Sequence, residues 1–117
     1  NLIAGKAGNG GVDVDGHLFD LRNESLMNAS GDPVHLGVRP EDVILSHQQV
    51  PGSVPVDIYW VEDHYSEQRK EVTFDLGGTR VIAKRPLDEE WDRNATAFVT
   101  IPSEKMYVFS ADESRLV

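Results

Sequence analysis

The residue pattern of this 117-residue chain predicts an all-β fold, an OB-like Greek-key barrel or two small interwoven ones. Three observations carry that expectation. Apolar and polar residues alternate along most of the chain, the period of half-buried strands. Glycine-bearing turn pairs recur between the alternating runs. Helical periodicity is nearly absent, and closing a barrel removes the exposed edges that so many short strands would otherwise present.

Taken in order, Val12-Asp13-Val14, Asp15-Gly16 and His17-Leu18-Phe19 read as a hairpin with a type I′ turn. The stretch Gly5-Lys6-Ala7-Gly8-Asn9-Gly10-Gly11 before it is expected to be a flexible connection. Gly31-Asp32-Pro33 is a loop feeding a strand in which Val34, Leu36 and Val38 alternate with His35 and Gly37. Pro40 then fixes its own φ and biases Arg39 toward an extended conformation, so this strand ends in a stiff charged turn, Arg39-Pro40-Glu41-Asp42. The apolar run resumes at Val43-Ile44-Leu45.

Val54, Val56, Ile58 and Trp60 are expected on the core face of a long strand, with Asp57 and Tyr59 opposite. Val72, Phe74 and Leu76 alternate with polar residues, and Gly77-Gly78 turns them into Arg80-Val81-Ile82-Ala83. Ala95, Ala97, Val99 and Ile101 form another strand, and Met106 to Phe109 the last. Only Pro86 to Trp91, with proline first and acids nearby, suits a helical turn. No fixed-period repeat is visible.

Composition narrows the function. The chain is one domain long, and its lack of cysteine excludes disulfides and thiolate metal sites. No apolar run approaches the roughly 18 residues of a membrane helix, and the first residues lack a signal-peptide pattern. Because the chain starts at Asn1, it is expected to be a fragment or a processed product. A net charge of −9 leaves no basic stripe for a nucleic-acid backbone or an anionic membrane, so no nucleic-acid partner is expected.

Enzyme motifs fail one by one. The glycine-rich stretch lacks the GxxxxGK[ST] spacing of a phosphate-binding loop. Asp13-Val14-Asp15-Gly16 fails as a calcium loop, because Gly11 and Arg22 stand where its outer acids belong. His17, His35, His47 and His64 are too scattered for a local metal pair and are expected to face solvent or lie half-buried. Asp88-Glu89-Glu90 reads as a solvated acidic loop, and no serine sits in a GxSxG context. Neither catalytic nor metal residues are expected. Sequons at Asn23, Asn28 and Asn94 leave a secreted, glycosylated β-domain as one alternative.

Leu36-Gly37-Val38-Arg39-Pro40-Glu41-Asp42-Val43 resembles the signature of the C-terminal OB-type (TOBE) regulatory domain in ATP-binding subunits of ABC importers, especially the maltose and glycerol-phosphate types. Further along, Val61-Glu62-Asp63 with Glu67 resembles the family's VE-x-LG-x-E segment. His64-Tyr65-Ser66 departs from its Leu-Gly. Gly78, Val81 and Ala83 resemble a later strand. Ile101 to Lys105, Val108-Phe109 and Arg115-Leu116 resemble the closing segment, with Ser110 in place of its aspartate.

The resemblance implies a regulatory domain over 1–117, non-catalytic, beyond a nucleotide-binding domain that this chain lacks. ATP and Mg would be held by that missing domain and no cofactor by this one. Implied partners are a second copy of the subunit, permease subunits through the missing domain, and in some members a cytoplasmic regulatory protein. The implied location is peripheral, on the cytoplasmic side of a bacterial inner membrane. Gly37, Arg39, Pro40, Glu41, Asp42, Glu62 and Glu67 are the candidate interface and regulatory residues. Arg39 is expected to pair with a carboxylate across barrels or subunits. The alternative is a barrel that senses a small oxyanion or sugar phosphate.

Overall fold

The computed structural model describes residues 1–26 and 31–112. The Asn28 sequon and the Arg115-Leu116 match lie outside the described residues. Ten strands run β1 Leu2–Gly8, β2 Gly11–Val14, β3 His17–Asp20, β4 Pro33–Gly37, β5 Ile44–Ser46, β6 Val54–His64, β7 Arg69–Leu76, β8 Thr79–Pro86, β9 Thr96–Thr100 and β10 Tyr107–Ser110. They form two five-stranded sheets, ordered β10-β4-β1-β2-β3 and β5-β9-β6-β7-β8. All pairings are antiparallel. The all-β class and the OB-like arrangement match the sequence expectation.

The two orders reveal a duplication. In each sheet three successive strands form a meander and a fourth returns beside the first, the 4-1-2-3 order of a Greek key. The strand that follows each key then leaves its own sheet. After β4 the chain crosses to the other sheet, where β5 pairs with β9; after β9 it crosses back, and β10 pairs with β4. Each crossing passes through a short 3-10 turn just after a proline begins it, Pro40–Asp42 and Ser103–Lys105 behind Pro102. Buried apolar residues flank both, Val38 and Val43 at the first, Ile101 and Met106 at the second. No repeat shows in the sequence; the likeness of the two halves lies in the topology.

Turn chemistry explains the hairpins. Asp15 and Gly16 have φ of 52° and 86°, and Gly77 and Gly78 have 57° and 80°, the positive pair a type I′ turn demands. A third such turn, Asn9-Gly10, joins β1 to β2, so the glycine-rich stretch expected to be a flexible connection is a strand and a tight turn. Gly5 serves close packing there: an added Cβ would lie 2.7 Å from the Asp13 carbonyl oxygen of the neighbouring strand.

Two further expectations are corrected. Trp60 is not in the core. Ile58 pairs with Phe74 but Trp60 with Thr73, a bulge that inserts one residue into β6 and flips the alternation. Tyr59 and Trp60 consequently both face solvent, 48% and 45% exposed, and Val61 takes the inward place. The Pro86 to Trp91 segment forms no helical turn, because Pro86 closes β8 and the residues after it bend through turns.

One apolar core runs through both sheets, from Ile3, Val12 and Leu36 to Ile58, Phe74 and Val99. Phe74→Ala is expected to cost about 3–5 kcal/mol in urea unfolding, whereas the exposed Trp60→Ala costs under about 1 kcal/mol. Equal losses at the two positions would contradict the bulge.

Candidate interface at the sheet crossing

The signature octapeptide is the first crossing. Leu36, Gly37, Val38 and Val43 are buried; Pro40 and Asp42 are half-buried; Arg39 and Glu41 stand exposed. Arg39 is extended at φ −74° and ψ 145°, as a residue before proline must be. Its carbonyl accepts the Asp42 N–H at 3.0 Å, and the Pro40 carbonyl accepts that of Val43 at 3.4 Å, closing the turn. The turn packs on β8, so the signature touches both sheets.

Gly37 is fixed by space. An added Cβ would lie 2.7 Å from Cε2 of Phe109, whose strand pairs with β4. The Phe109 ring thus covers the backbone just before the crossing, and any side chain there would displace it.

Asn1 supplies a clamp that the sequence does not announce. Its backbone nitrogen donates to the Val38 carbonyl at 3.0 Å, and its own carbonyl accepts the Val38 N–H at 3.1 Å. Its side-chain amide reaches the edge strand β8, where Nδ2 donates to the Ile82 carbonyl at 2.8 Å and Oδ1 accepts the Ile82 N–H at 2.9 Å. One residue therefore extends both ladders, its backbone beside β4 and its amide beside β8. No spacing pattern signals such an asparagine.

Around this junction lies an open groove of about 580 Å³, lined by Asn1, Leu2, Val38, Arg39, Tyr107 and Phe109 among others. Its wall is mostly apolar, with one guanidinium at the rim. Among the described residues Arg39 and Glu41 enter no ion pair, so the bidentate pair expected of Arg39 does not form among them.

Glu62 and Glu67 belong elsewhere, on the β6–β7 hairpin. Glu62 is exposed opposite Glu71 in register, and His64 Nε2 sits 3.9 Å from Glu62 and 3.7 Å from Glu71, between two like charges. Glu67 is exposed in the 3-10 turn Tyr65–Glu67, after which Gln68 adopts φ 55° in place of a glycine. Among the described residues no hydrogen bond or ion pair joins either acid to the Arg39 turn, so the seven candidate residues form two separate groups. Among the described residues there is no group of three or more His, Asp or Glu disposed to hold a metal ion. The four histidines are exposed or half-buried.

Glu89, expected to be a solvated acid, is instead an anchor. Arg85 grips it with two hydrogen bonds, Nε to Oε1 at 2.8 Å and Nη2 to Oε2 at 2.6 Å. Trp91, 6% exposed, donates its indole N–H to Oε1 at 2.8 Å, and His47 stacks on that indole at 4.0 Å. Lys70 Nζ donates to the Glu89 carbonyl at 2.7 Å. The cluster fastens the long β8–β9 connection that completes the second Greek key.

Asn1→Ala leaves the Ile82 N–H and C=O of the edge strand unmatched, and is expected to cost about 1–3 kcal/mol in urea unfolding. Gly37→Ala should cost about 1–3 kcal/mol, and much less in a Phe109→Ala background, which a double-mutant cycle reads. The Arg85 hydrogen bonds, and secondarily Trp91, hold the Glu89 carboxyl below its ordinary pKa against the opposing effect of partial burial. A depressed native pKa gives stability that is present above the ordinary carboxylate range and lost as pH falls through the depressed value. Thermal melts from pH 7 downward should therefore show Glu89→Gln less stable than the parent at neutral pH, with the gap closing in acid. A constant gap would contradict the charge-based anchor.

The model of the CysA C-terminal regulatory domain matches residues 1–45, from β1 through most of the crossing to β5. The sn-glycerol-3-phosphate import ATP-binding protein UgpC of Escherichia coli O6:K15:H31 (strain 536 / UPEC) is 24% identical over 123 aligned positions, covering 100% of this chain and 33% of that protein. The chain thus spans about a third of the length of the curated relative it matches. Signature and both matches point the same way: the chain is similar to the C-terminal regulatory domains of ABC importer ATP-binding subunits, by family model over residues 1–45 and by the relative over its whole length.

Proposed function

We propose that this domain is the non-catalytic regulatory and dimerisation module of an importer ATPase subunit that serves a carbohydrate or related solute. ATP and Mg are handled by a nucleotide-binding domain elsewhere in the protein. The observation that carries the reading is the placement of the signature. Gly37, Pro40 and Asp42 build the sheet crossing, while Arg39 and Glu41 project from it and enter no ion pair among the described residues. A guanidinium on a stiff backbone is preorganised for a carboxylate across an interface. The partners this implies are a second ATPase subunit, the permease through the other domain, and a cytoplasmic regulatory protein. The subunit would work peripherally at the cytoplasmic face of the inner membrane; among the described residues no helix is long and apolar enough to cross one.

The groove supports a second reading, a sensor for an oxyanion or sugar phosphate, since it joins an apolar wall to Arg39. Calorimetry with molybdate, sulfate and glycerol phosphate separates the two. The regulatory reading predicts no micromolar binding, and such binding, lost in Arg39→Ala, would favour the sensor.

In the complete ATPase subunit, Arg39→Glu is expected to leave thermal stability within about 0.5 kcal/mol, because the side chain is exposed. Subunit association or stimulated ATP turnover should fall several-fold. Unchanged association and turnover would remove the turn from the interface. The reading also requires a Walker motif upstream in the same reading frame, and its absence would contradict the assignment.

A further inference from the structure

We propose that the groove at the first sheet crossing binds a small amphiphilic monocarboxylate, an aryl or alkyl body carrying one carboxylate, with Arg39 holding the anionic end. The inference goes beyond the regulatory reading and stands without it.

The strand register builds the groove. Leu2, Gly37 and Tyr107 stand in one row across β1, β4 and β10. Two large exposed side chains thus flank a residue that has none. The Phe109 ring covers the gap between them, 2.7 Å from where a Gly37 Cβ would lie. Val38 and Pro40 continue the wall toward Arg39. The resulting space, about 580 Å³, has the size of a small-ligand site. Leu2 and Tyr107 leave apolar surface open to water, and covering it with a ligand's apolar body is favourable.

Polar groups select the head of that ligand. An inorganic oxyanion needs several N–H donors converging on it. Here Asn1 and Val38 bond their backbones to each other, and Pro40 has no N–H. The Arg39 guanidinium enters no ion pair among the described residues, and one fork matches one carboxylate. Against a chain of net charge −9, a single negative charge is repelled less than a phosphate dianion. Two smaller cavities make the contrast. In one of about 240 Å³ beside β3, Arg22 shares the lining with Asp20. In one of about 300 Å³ beside β1, Lys6 shares it with Asp13. The crossing groove sets its cation on an apolar wall with no acid in the lining.

Calorimetry on the 117-residue chain with phenylpropionate tests this, with phenylpropionamide, acetate and sulfate beside it. Phenylpropionate is expected to bind with a Kd on the order of 0.1 mM. Its uncharged amide should bind at least about tenfold more weakly, because it lacks the charge-assisted pair. Acetate and sulfate have no apolar body and should give no measurable binding. Arg39→Gln should weaken phenylpropionate by about tenfold or more and leave the amide unchanged. Arg22→Gln, in the smaller cavity, should change neither. Both arginines are exposed, and circular dichroism melts verify that the variants are folded. The comparison of acid with amide needs no variant and carries the test should Arg39→Gln fail that check. No binding of phenylpropionate up to about 5 mM would overturn the proposal. So would equal binding of acid and amide, undiminished binding in folded Arg39→Gln, or sulfate binding as tightly as phenylpropionate.

Discussion

Everything in this molecule depends on two reciprocal strand exchanges. Neither Greek key keeps its fifth strand: β5 belongs by sequence to the first and by hydrogen bonding to the second, and β10 the reverse. The backbone must therefore cross between sheets twice within a few residues, without leaving buried polar groups unpaired. Proline-led 3-10 turns meet that demand, because the ring presets φ and the tight turn bonds its own carbonyls. The first crossing carries the octapeptide Leu36 to Val43. Its glycine and proline are explained by chain geometry, which leaves Arg39 and Glu41 as the residues free to act outward.

The same economy governs the edges. An open strand edge invites unwanted pairing, and β8 is the edge of the second sheet. Asn1 occupies it at Ile82 with a side-chain amide that imitates a backbone peptide, while its main chain holds Val38. Glu89 does comparable work on the long β8–β9 connection, where Arg85 and Trp91 converge on one carboxylate. Charge is thus spent on joints, and the surplus of acid lies on the surface.

Alternation made most of the fold legible. Val72, Phe74 and Leu76, or Ala97, Val99 and Ile101, face the core as their period-2 pattern implies. Glycine pairs at 15–16 and 77–78 marked their turns because only positive φ fits there. The failures have physical causes. The bulge at Tyr59 leaves no mark in the pattern, so Trp60 read as core. Gly5 to Gly11 read as a flexible linker because close backbone approach and flexibility call for the same residue. Pairwise contacts made by tertiary structure, such as Asn1 with Ile82, carry no local signal at all. For the site, resemblance located the crossing, but only the coordinates separate its buried hinge from its exposed charges, and place Glu62 and Glu67 on a different hairpin.

The central claim is that strand exchange makes two Greek keys one cooperative unit. Native-state hydrogen exchange of the strand amides measures this directly. If the claim is right, the amides of β4 and β10 in one sheet and of β9 and β6 in the other open only together, with a common free energy and a common denaturant slope. Opening of one sheet at a distinctly lower free energy, with the other still protected, would contradict it.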